Sequence, residues 1–229
     1  MTDPRRLLAR LNPTTVRYDV GRGGTPELTA QDIAAALAFV PAGLGREVFC
    51  ALWWPDGARL SRRDLLGKVT RIVGEEWRRQ AQALAEARID LGIAHAIASW
   101  GHHTSPEQRR NIDAAARALE ARKRRCWPST LPDRLPALVT AALEEIAMPN
   151  LCAQCGGRAQ AIVGALLVTC SMCDGRGTLP VSDRKRARAI GVDESTYRET
   201  WRDCYGWIYR TVADAEHEAA KDMRAALRG

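Results

Sequence analysis

Four cysteines in two pairs constrain the fold of this chain more than any other feature. Cys152 and Cys155 form one C-x-x-C pair, and Cys170 and Cys173 form a second pair after fourteen intervening residues. A C-x-x-C turn directs both sulfur atoms toward one centre, so two such turns can supply the four thiolates of a tetrahedral structural site. Glycines follow each pair closely (Gly156, Gly157, Gly175 and Gly177). The pattern predicts one structural Zn²⁺ bound by Cys152, Cys155, Cys170 and Cys173.

Two other interpretations of the cysteines stay open at this point. A pair of disulfides is typical of secreted proteins, and a redox-active C-x-x-C motif usually needs one pair in a βαβ context. A four-cysteine metal site leaves no open coordination position, so the metal would hold structure and perform no chemistry. The β-rich segment 161–169 predicts a short hairpin closed by the metal. About thirty residues cannot bury a core, so the metal would supply the folding free energy of this finger, residues 150–180.

The composition indicates a protein that folds around an apolar core in a reducing compartment. The chain has 229 residues, of which 46% are apolar, enough for one large domain or two small ones. We find no apolar stretch long enough to predict a membrane-spanning helix, and the first residues lack the apolar segment of a signal peptide. With seven cysteines and no export signal, we expect the protein in a reducing cytoplasm.

Helical patterning outside the finger predicts a mainly α fold. Residues 1–28 contain several prolines and glycines and predict a flexible arm. Apolar residues at helical spacing, preceded by serine and threonine N-caps, predict a helical body over residues 29–149. Prolines between positions 128 and 136 predict a break before a last short helix, Leu138 to Met148. The predicted order is therefore an arm, a helical body, the finger at 150–180 with its short β-hairpin, and a helical unit at 181–229.

A basic segment after the finger has the pattern of a helix-turn-helix. A short helix rich in arginine and lysine follows Ser182, Gly191 ends it, and a longer helix runs from Thr196 to about Ala226. The net charge of +7 and the isoelectric point of about 9.3 permit nucleic-acid binding. Basic residues on the first helix would contact phosphate, and side chains at the start of the second would contact bases. The candidate DNA-contacting residues are Arg184, Lys185, Arg186, Arg188, Ser195, Thr196, Arg198 and Arg202.

An ordinary helical hairpin is the alternative interpretation of the same segment. Apolar and aromatic side chains recur every three or four residues along the second helix (Tyr197, Trp201, Tyr205, Ile208 and Val212). This spacing places them on one helix face, which predicts a buried face rather than a surface that stacks on bases. The arginines at 198 and 202 lie on a different face, and this separation favours the helix-turn-helix.

Together these motifs resemble the Q family of lambdoid phage antitermination factors, the branch typified by phage lambda Q. The residues that carry the resemblance are Cys152-Ala-Gln-Cys155-Gly-Gly, Cys170-Ser-Met-Cys173-Asp-Gly-Arg-Gly177, the basic helix, and Thr196-Tyr-Arg-Glu-Thr-Trp201. The resemblance covers residues 150–220 well and residues 30–80 weakly, and residues 81–149 match less clearly, as expected of an insertion.

The resemblance implies a transcription antitermination factor that binds a specific element of double-stranded DNA near a late promoter. Such a factor engages paused bacterial RNA polymerase that carries a sigma factor, and then travels with the polymerase past terminators. The resemblance also implies one structural Zn²⁺ on the four cysteines, DNA contacts by residues 182–202, and polymerase contacts by the helical body. It places the protein in the cytoplasm of a bacterial host, at the nucleoid and not at a membrane.

Other classes of function are alternatives at this stage. The segment Cys170 to Gly177 fits the C-x-x-C-x-G-x-G repeat of J-domain-type chaperones, but the first cysteine pair fits it poorly, and a J-domain His-Pro-Asp is missing. A basic DNA-binding regulator without antitermination activity is a further alternative. The sequence contains no G-x-S-x-G, P-loop, dinucleotide-binding or H-E-x-x-H motif, so it does not predict an enzyme.

Overall fold

Helices form most of the protein in a computed structural model that describes residues 3–9, 11, 28–101, 103–163 and 166–228. In chain order they are α1 (Pro4–Ala9), α2 (Ala30–Ala38), α3 (Leu44–Trp53), α4 (Arg62–Ser99), α5 (Pro106–Arg125), α6 (Leu131–Ala147), α7 (Asp183–Ala189), α8 (Glu194–Thr196) and α9 (Arg202–Ala226). A 3-10 turn, Pro55–Gly57, follows α3, and a π-helical turn, Tyr197–Trp201, joins α8 to α9. Strands β1 (Gln160–Val163) and β2 (Leu166–Thr169) form an antiparallel hairpin. The predicted mainly α fold with a small hairpin and four clustered cysteines is confirmed.

The described chain divides into two units, one of residues 1–69 and 136–229 and the other of residues 70–135. In the first unit, α9 packs against α1, α2 and α3. These four helices enclose a core that consists of Leu7, Leu8, Ile33, Ala36, Leu37, Val40, Phe49, Cys50, Ala219, Ala220 and Met223. Because α9 belongs to this core, the predicted boundary at residue 181 does not separate an independent C-terminal domain.

A close approach and a buried carboxylate hold α9 against the N-terminal helices. A Cβ atom at Gly45 would clash with the backbone carbonyl of Ala215, so glycine at this position lets α3 lie directly on α9. The buried Glu216 carboxylate accepts hydrogen bonds from Arg5 Nε (2.8 Å) and Nη2 (2.6 Å) and from Trp53 Nε1 (2.9 Å). One carboxylate on α9 therefore satisfies donors from both α1 and α3 at the edge of the core.

The N-terminal segment differs from the predicted flexible arm. Residues 4–9 form α1, and both Leu7 and Leu8 are buried in the core. A helix of six residues is too short to show an apolar period, so its burial against α3 and α9 decides its structure rather than its own pattern. Residues 1–2, 10 and 12–27 of the predicted arm lie outside the described residues.

The second unit is built around a helical hairpin of α4 and α5. The antiparallel direction follows from two hydrogen bonds: Gln108 Nε2 donates to the Ile97 carbonyl (3.4 Å), and the Trp127 backbone N–H donates to Gln80 Oε1 (3.0 Å). Ser105 caps α5 through the predicted capping box with Gln108. Although α4 is long, neither it nor another described helix combines the length and apolar character needed to span a membrane.

Helix α6 begins at Leu131, well before the predicted start at Leu138. Pro132 lies in the first helical turn, where the backbone N–H has no intrahelical partner, so proline is tolerated there. Pro136 lies inside the helix and removes one backbone hydrogen bond. Burial of Leu138 and Val139 in the following turn offsets that loss, which the proline pattern alone does not reveal.

Replacing Leu8 by alanine tests the placement of α1. We expect the free energy of unfolding to fall by about 2–5 kcal/mol, because Leu8 is fully buried and its truncation leaves a cavity. Arg6→Ala is the matched control on the exposed side of the same helix and should change that free energy by less than about 0.5 kcal/mol. Urea denaturation followed by circular dichroism measures both variants. Equal small effects would show that α1 lies outside the core.

Candidate metal centre and nucleic-acid interface

The structure brings the four predicted cysteine ligands together at the base of the hairpin. All four side chains are buried, and their Sγ atoms lie within 4.8 Å of one another. The Cys152–Cys170 and Cys155–Cys173 Sγ distances are both 3.8 Å. Four bonds of about 2.3 Å from a tetrahedral metal to thiolates require sulfur atoms about 3.8 Å apart. The quartet is therefore compatible with a structural metal site, and these separations are too long for a disulfide.

Backbone hydrogen bonds close the finger at its base. The Cys152 N–H donates to the Gly177 carbonyl (2.9 Å), and the Leu179 N–H donates to the Asn150 carbonyl (2.8 Å). The Gly177 N–H donates to Cys173 Sγ at 3.2 Å. These contacts bring the start and the end of the finger side by side, so both cysteine pairs face the same centre.

Two of the four thiols, Cys155 and Cys170, are held in unlike electrostatic environments. Burial raises the pKa of the Cys155 thiol, but hydrogen bonds from the backbone N–H of Ala159 and from the neighbouring thiols outweigh burial and lower this pKa to about 7. For Cys170, burial prevails and raises the pKa to about 11. A cation at the centre favours the deprotonated form of every thiol, so metal binding would release protons from this cluster.

Among its described side chains, the hairpin buries little apolar surface. Its register pairs Gln160 with Thr169 and Val163 with Leu166. Leu167 and the rest of β2 are exposed, while Ala161 packs against the cysteine cluster. With so small an apolar core, this arm depends on its cysteine centre for stability.

A glycine turn joins α7 to α8 as the helix-turn-helix pattern predicts. Gly191 has a φ of 72°, in the left-handed region that favours glycine. Its N–H donates to the Arg188 carbonyl (3.2 Å), and the Val192 N–H donates to the Ala187 carbonyl (3.0 Å), which is the Schellman arrangement. Asp193 then caps α8 by accepting a hydrogen bond from the Thr196 N–H (2.9 Å). The turn therefore fixes the direction of α8 relative to α7.

The apolar face of the second helix is buried, as its spacing predicts. The buried side chains are Tyr197, Trp201, Tyr205, Ile208 and Val212. A π-helical turn over residues 197–201, in which the Arg202 N–H donates to the Tyr197 carbonyl, adds one residue to the helix near its start. This turn has no sequence signal, and it sets the orientation of the exposed side chains in the first part of the helix.

The prediction that Arg186 contacts phosphate needs correction. Its guanidinium forms a two-pronged ion pair with Glu145 of α6, through Nε at 2.9 Å and Nη2 at 2.6 Å. The same guanidinium lies over the rings of Tyr205 and Tyr209, at 5.1 Å and 5.7 Å from their centroids. Only 21% of the Arg186 side chain and 8% of the Glu145 side chain are exposed. Arg186 therefore holds α7 to the fold.

We call Glu145, Arg186 and Tyr205 the carboxylate lock. Tyr205 completes it by donating its hydroxyl hydrogen to Glu145 Oε2 at 2.8 Å. Ion pairing with Glu145 raises the pKa of Arg186, and burial, reinforced by the adjacent Glu145 carboxylate, raises the pKa of Tyr205. The lock joins α6, α7 and α9, three elements far apart in sequence. The base of the finger is next to it, because a small cleft is lined by Arg186 and Tyr209 together with Pro149 and Leu179.

The remaining predicted residues fall into three groups. Arg184, Lys185 and Arg188 are exposed on α7, and the described part of the chain offers their side chains no ion-pair partner. The hydroxyls of Ser195 and Thr196 donate to the Asp193 carboxylate and thereby lower its pKa. Arg198 and Arg202 both form ion pairs with Asp183, and Arg198 also pairs with Glu194. The site therefore contains two acids, Glu145 and Asp183, that sequence reasoning missed, because their partners are distant along the chain.

Replacing Glu145 by glutamine tests the carboxylate lock. We expect the free energy of unfolding to fall by about 2–4 kcal/mol, because the change leaves a largely buried guanidinium without a counter-charge. Glu144→Gln is the matched control, since the adjacent Glu144 pairs with Arg62 at the exposed surface. That change should alter the free energy by less than about 1 kcal/mol. If denaturant titrations gave the same change in the free energy of unfolding for both variants, the carboxylate lock would not be important for this fold.

Comparison with known proteins adds no assignment to this geometry. Searches against family models, curated proteins and solved structures returned no match.

Proposed function

We propose that this protein is a DNA-binding transcription antitermination factor whose helix-turn-helix is supported by a zinc-bound finger. The observation that carries the proposal is the exposed basic face of α7, joined by a tight glycine turn to a second helix whose early turns contain the exposed residues Arg198 and Arg202. In the helix-turn-helix, the first helix crosses the phosphate backbone and the start of the second enters the major groove. The distribution of charge over the two helices supports this mode of docking.

Phosphate contact is the role we propose for the exposed face of α7. Arg184 and Arg188 are one helical turn apart, and Lys185 lies beside them. These side chains are not committed to carboxylates of the described fold, so their charges are available to phosphate. Arg186 is excluded from the interface because it belongs to the carboxylate lock. That lock presents α7 as a fixed platform, which suits backbone contacts that set register on DNA.

Base contact is the role we propose for the start of the second helix. The side chains of Arg198 and Arg202 are 57% and 59% exposed, on a different face from the buried aromatic stripe. Arginine forms two parallel hydrogen bonds to the O6 and N7 atoms of guanine in the major groove. Ser195 and Thr196 are near these arginines and remain candidates for phosphate or base contact through water.

Zn²⁺ is the metal that we propose for the four-cysteine centre. The ligand set is all thiolate, and the 3.8 Å sulfur separations match the bond lengths of tetrahedral zinc. Such a site is closed, so the metal would stabilise the finger and leave no position for a reaction. The base of the finger adjoins the carboxylate lock, so metal binding would also stabilise the position of α7.

The antitermination activity and the polymerase partner rest on the resemblance of residues 150–177 and 196–201 to the Q family. The proposed partner is sigma-containing bacterial RNA polymerase, contacted by the helical body. Four large apolar side chains on and just after α4 support a protein contact in that region, since each is about half exposed or more (Ile89, Ile93, Ile97 and Trp100). Exposed apolar stripes of this kind mark protein interaction sites.

The experiment that tests the function has two stages. Purified protein first selects duplexes from a random-sequence library, and the enriched duplex is compared with a scrambled duplex at stated salt. A template is then built with the enriched duplex next to a promoter and with a terminator downstream of that promoter. Bacterial polymerase with its sigma factor transcribes this template in the presence of the protein. Selective binding with read-through supports antitermination, selective binding alone leaves a DNA-binding regulator, and a failure to enrich any duplex contradicts the proposal.

Cys173→Ser tests the metal. The purified wild-type protein should contain one zinc per chain by elemental analysis, and the variant should lose it because three thiolates hold zinc far less tightly. Limited proteolysis should then cut the variant within residues 150–180. Cys126→Ser is the control, since Cys126 is outside the quartet and should leave metal content unchanged. Full zinc content in Cys173→Ser would exclude the four-thiolate site.

Lys185→Ala and Arg188→Ala test the phosphate contacts. Each change should weaken binding to the enriched and the scrambled duplex alike, and should reduce the slope of log affinity against log salt by about one. Lys221→Ala removes an exposed cation from the far part of α9, where it pairs with Glu218, and serves as the control. A loss confined to the enriched duplex would instead assign Lys185 or Arg188 to base contact.

A further inference from the structure

One carboxylate oxygen in the helix-turn-helix binds both candidate base-contacting arginines. Asp183 Oδ2 lies 3.3 Å from Arg198 Nε and 3.1 Å from Arg202 Nη2. Asp183 is the first residue of α7, so these two ion pairs cross the turn from one helix to the other. Its side chain is 15% exposed, whereas both arginines are more than half exposed. The carboxylate is thus largely shielded from solvent, while the two guanidinium groups that it contacts are open to solvent.

The contacts leave the outer edges of both guanidinium groups available. Arg198 uses Nε toward Asp183 and Nη2 toward Glu194, so its Nη1 donors remain. Arg202 approaches the same carboxylate with Nη2 in an ion pair, so its Nε and Nη1 donors remain. A guanidinium carries five N–H donors in a rigid plane, and holding one edge therefore sets the direction of the others. Both arginines are held in the free protein in a conformation that can still donate to a base.

A purely structural role explains Asp183 less well. Ion pairs between exposed arginines and a carboxylate contribute little to stability. The carboxylate lock already joins α7 to α6 and α9 through a more deeply buried pair. The ion pairs of Asp183 with two exposed arginines therefore add little to the stability of the fold. They do restrict the conformations in which these arginines can contact a ligand.

We propose that Asp183 is a specificity-determining positioning residue for duplex DNA, an inference that rests on the proposed DNA-binding function. It orients Arg198 and Arg202 before binding, which reduces the side-chain entropy lost on forming base contacts. It also offsets part of their positive charge, which weakens attachment to phosphates of any sequence. Both effects raise the ratio of specific to non-specific affinity, and neither requires Asp183 to touch DNA.

Asp183→Asn tests this role because it keeps the size of the side chain and removes its charge. We expect affinity for a scrambled duplex to rise a fewfold, with a salt slope steeper by about one. The ratio of affinities for the duplex enriched by wild-type protein and the scrambled duplex should fall about five- to tenfold. Glu199→Gln is the matched control: Glu199 is exposed two residues before Trp201 and has no ion-pair partner among the described residues. It removes the same charge and should leave the ratio unchanged.

A second measurement does not depend on DNA. The arginine Nε–H signals of the free protein, followed by NMR, should show a slowly exchanging Arg198 proton in the wild type and in Glu199→Gln, and its loss in Asp183→Asn. Circular dichroism melting confirms that each variant is folded.

The outcomes separate the two proposals. An unchanged affinity ratio in Asp183→Asn, with selective binding by the wild type, overturns the role of Asp183 and leaves the DNA-binding function standing. An Arg198 signal that is equally averaged in wild type and Asp183→Asn overturns the positioning step even where DNA is absent. Failure of the wild type to enrich any duplex overturns the proposed function, and with it the DNA part of this inference.

Discussion

The ion pair between Glu145 and Arg186 is the interaction on which the arrangement of the C-terminal half depends. Glu145 lies in the last turns of α6, Arg186 lies in the middle of α7, and Tyr205 lies in α9; the side chains of Arg186 and Tyr205 both donate hydrogen bonds to Glu145. A buried pair of this kind contributes modestly to net stability, since desolvation opposes its attraction, but removing one partner leaves a costly unpaired charge. Misplaced packings of α7 would leave such a charge, so the pair selects one orientation of that helix against the rest of the unit.

The base of the finger and the basic helix α7 both lie against the carboxylate lock. In the described part of the finger, the only apolar cluster consists of the four cysteines with Ala161 and Leu179 packed against them. The ends of the finger meet through backbone hydrogen bonds beside Pro149 and Leu179. The same cleft is bordered by Arg186 and Tyr209. A closed thiolate centre would therefore stabilise both the exposed arm and the surface on which α7 rests. A metal bound by these thiolates would therefore affect the proposed DNA interface through the structure that it stabilises.

The contacts of each basic side chain, rather than its position in the sequence, decide whether its charge is paired within the protein or exposed to solvent. Arginine and lysine occupy four of the seven positions of α7, yet Arg186 turns inward to a carboxylate while the other three cations are exposed. On the second helix, Arg198 and Arg202 are exposed but bound to Asp183. A net positive charge therefore describes the attraction of the whole protein to polyanions, whereas the pairing of each cation decides which of them can contact DNA.

Several features follow from the sequence alone because each is set by a local motif, namely a C-x-x-C turn, a capping box, a glycine after a helix or a helical period. The spacing of Cys152, Cys155, Cys170 and Cys173 brings four sulfur atoms to one centre, Ser105 and Gln108 close a capping box, and Gly191 permits the left-handed turn after α7. The period of the aromatic stripe likewise places it on a buried face. Backbone hydrogen bonding and helical periodicity act over one or two turns, so local residues contain the information.

Tertiary structure alone decided the rest, because those features depend on partners that are distant along the chain. Leu8 is buried by helices far downstream, α6 extends across Pro136 because its later turns are packed, and Arg186 meets an acid forty-one residues before it. Asp183 likewise meets Arg198 and Arg202 only after the turn at Gly191 brings the two helices together. No local pattern in a single sequence records such encounters, since the same arginine is equally compatible with solvent, phosphate or a buried carboxylate. The sequence thus determined the cysteine centre and the helical elements, whereas packing determined which charges support the fold and which face a ligand.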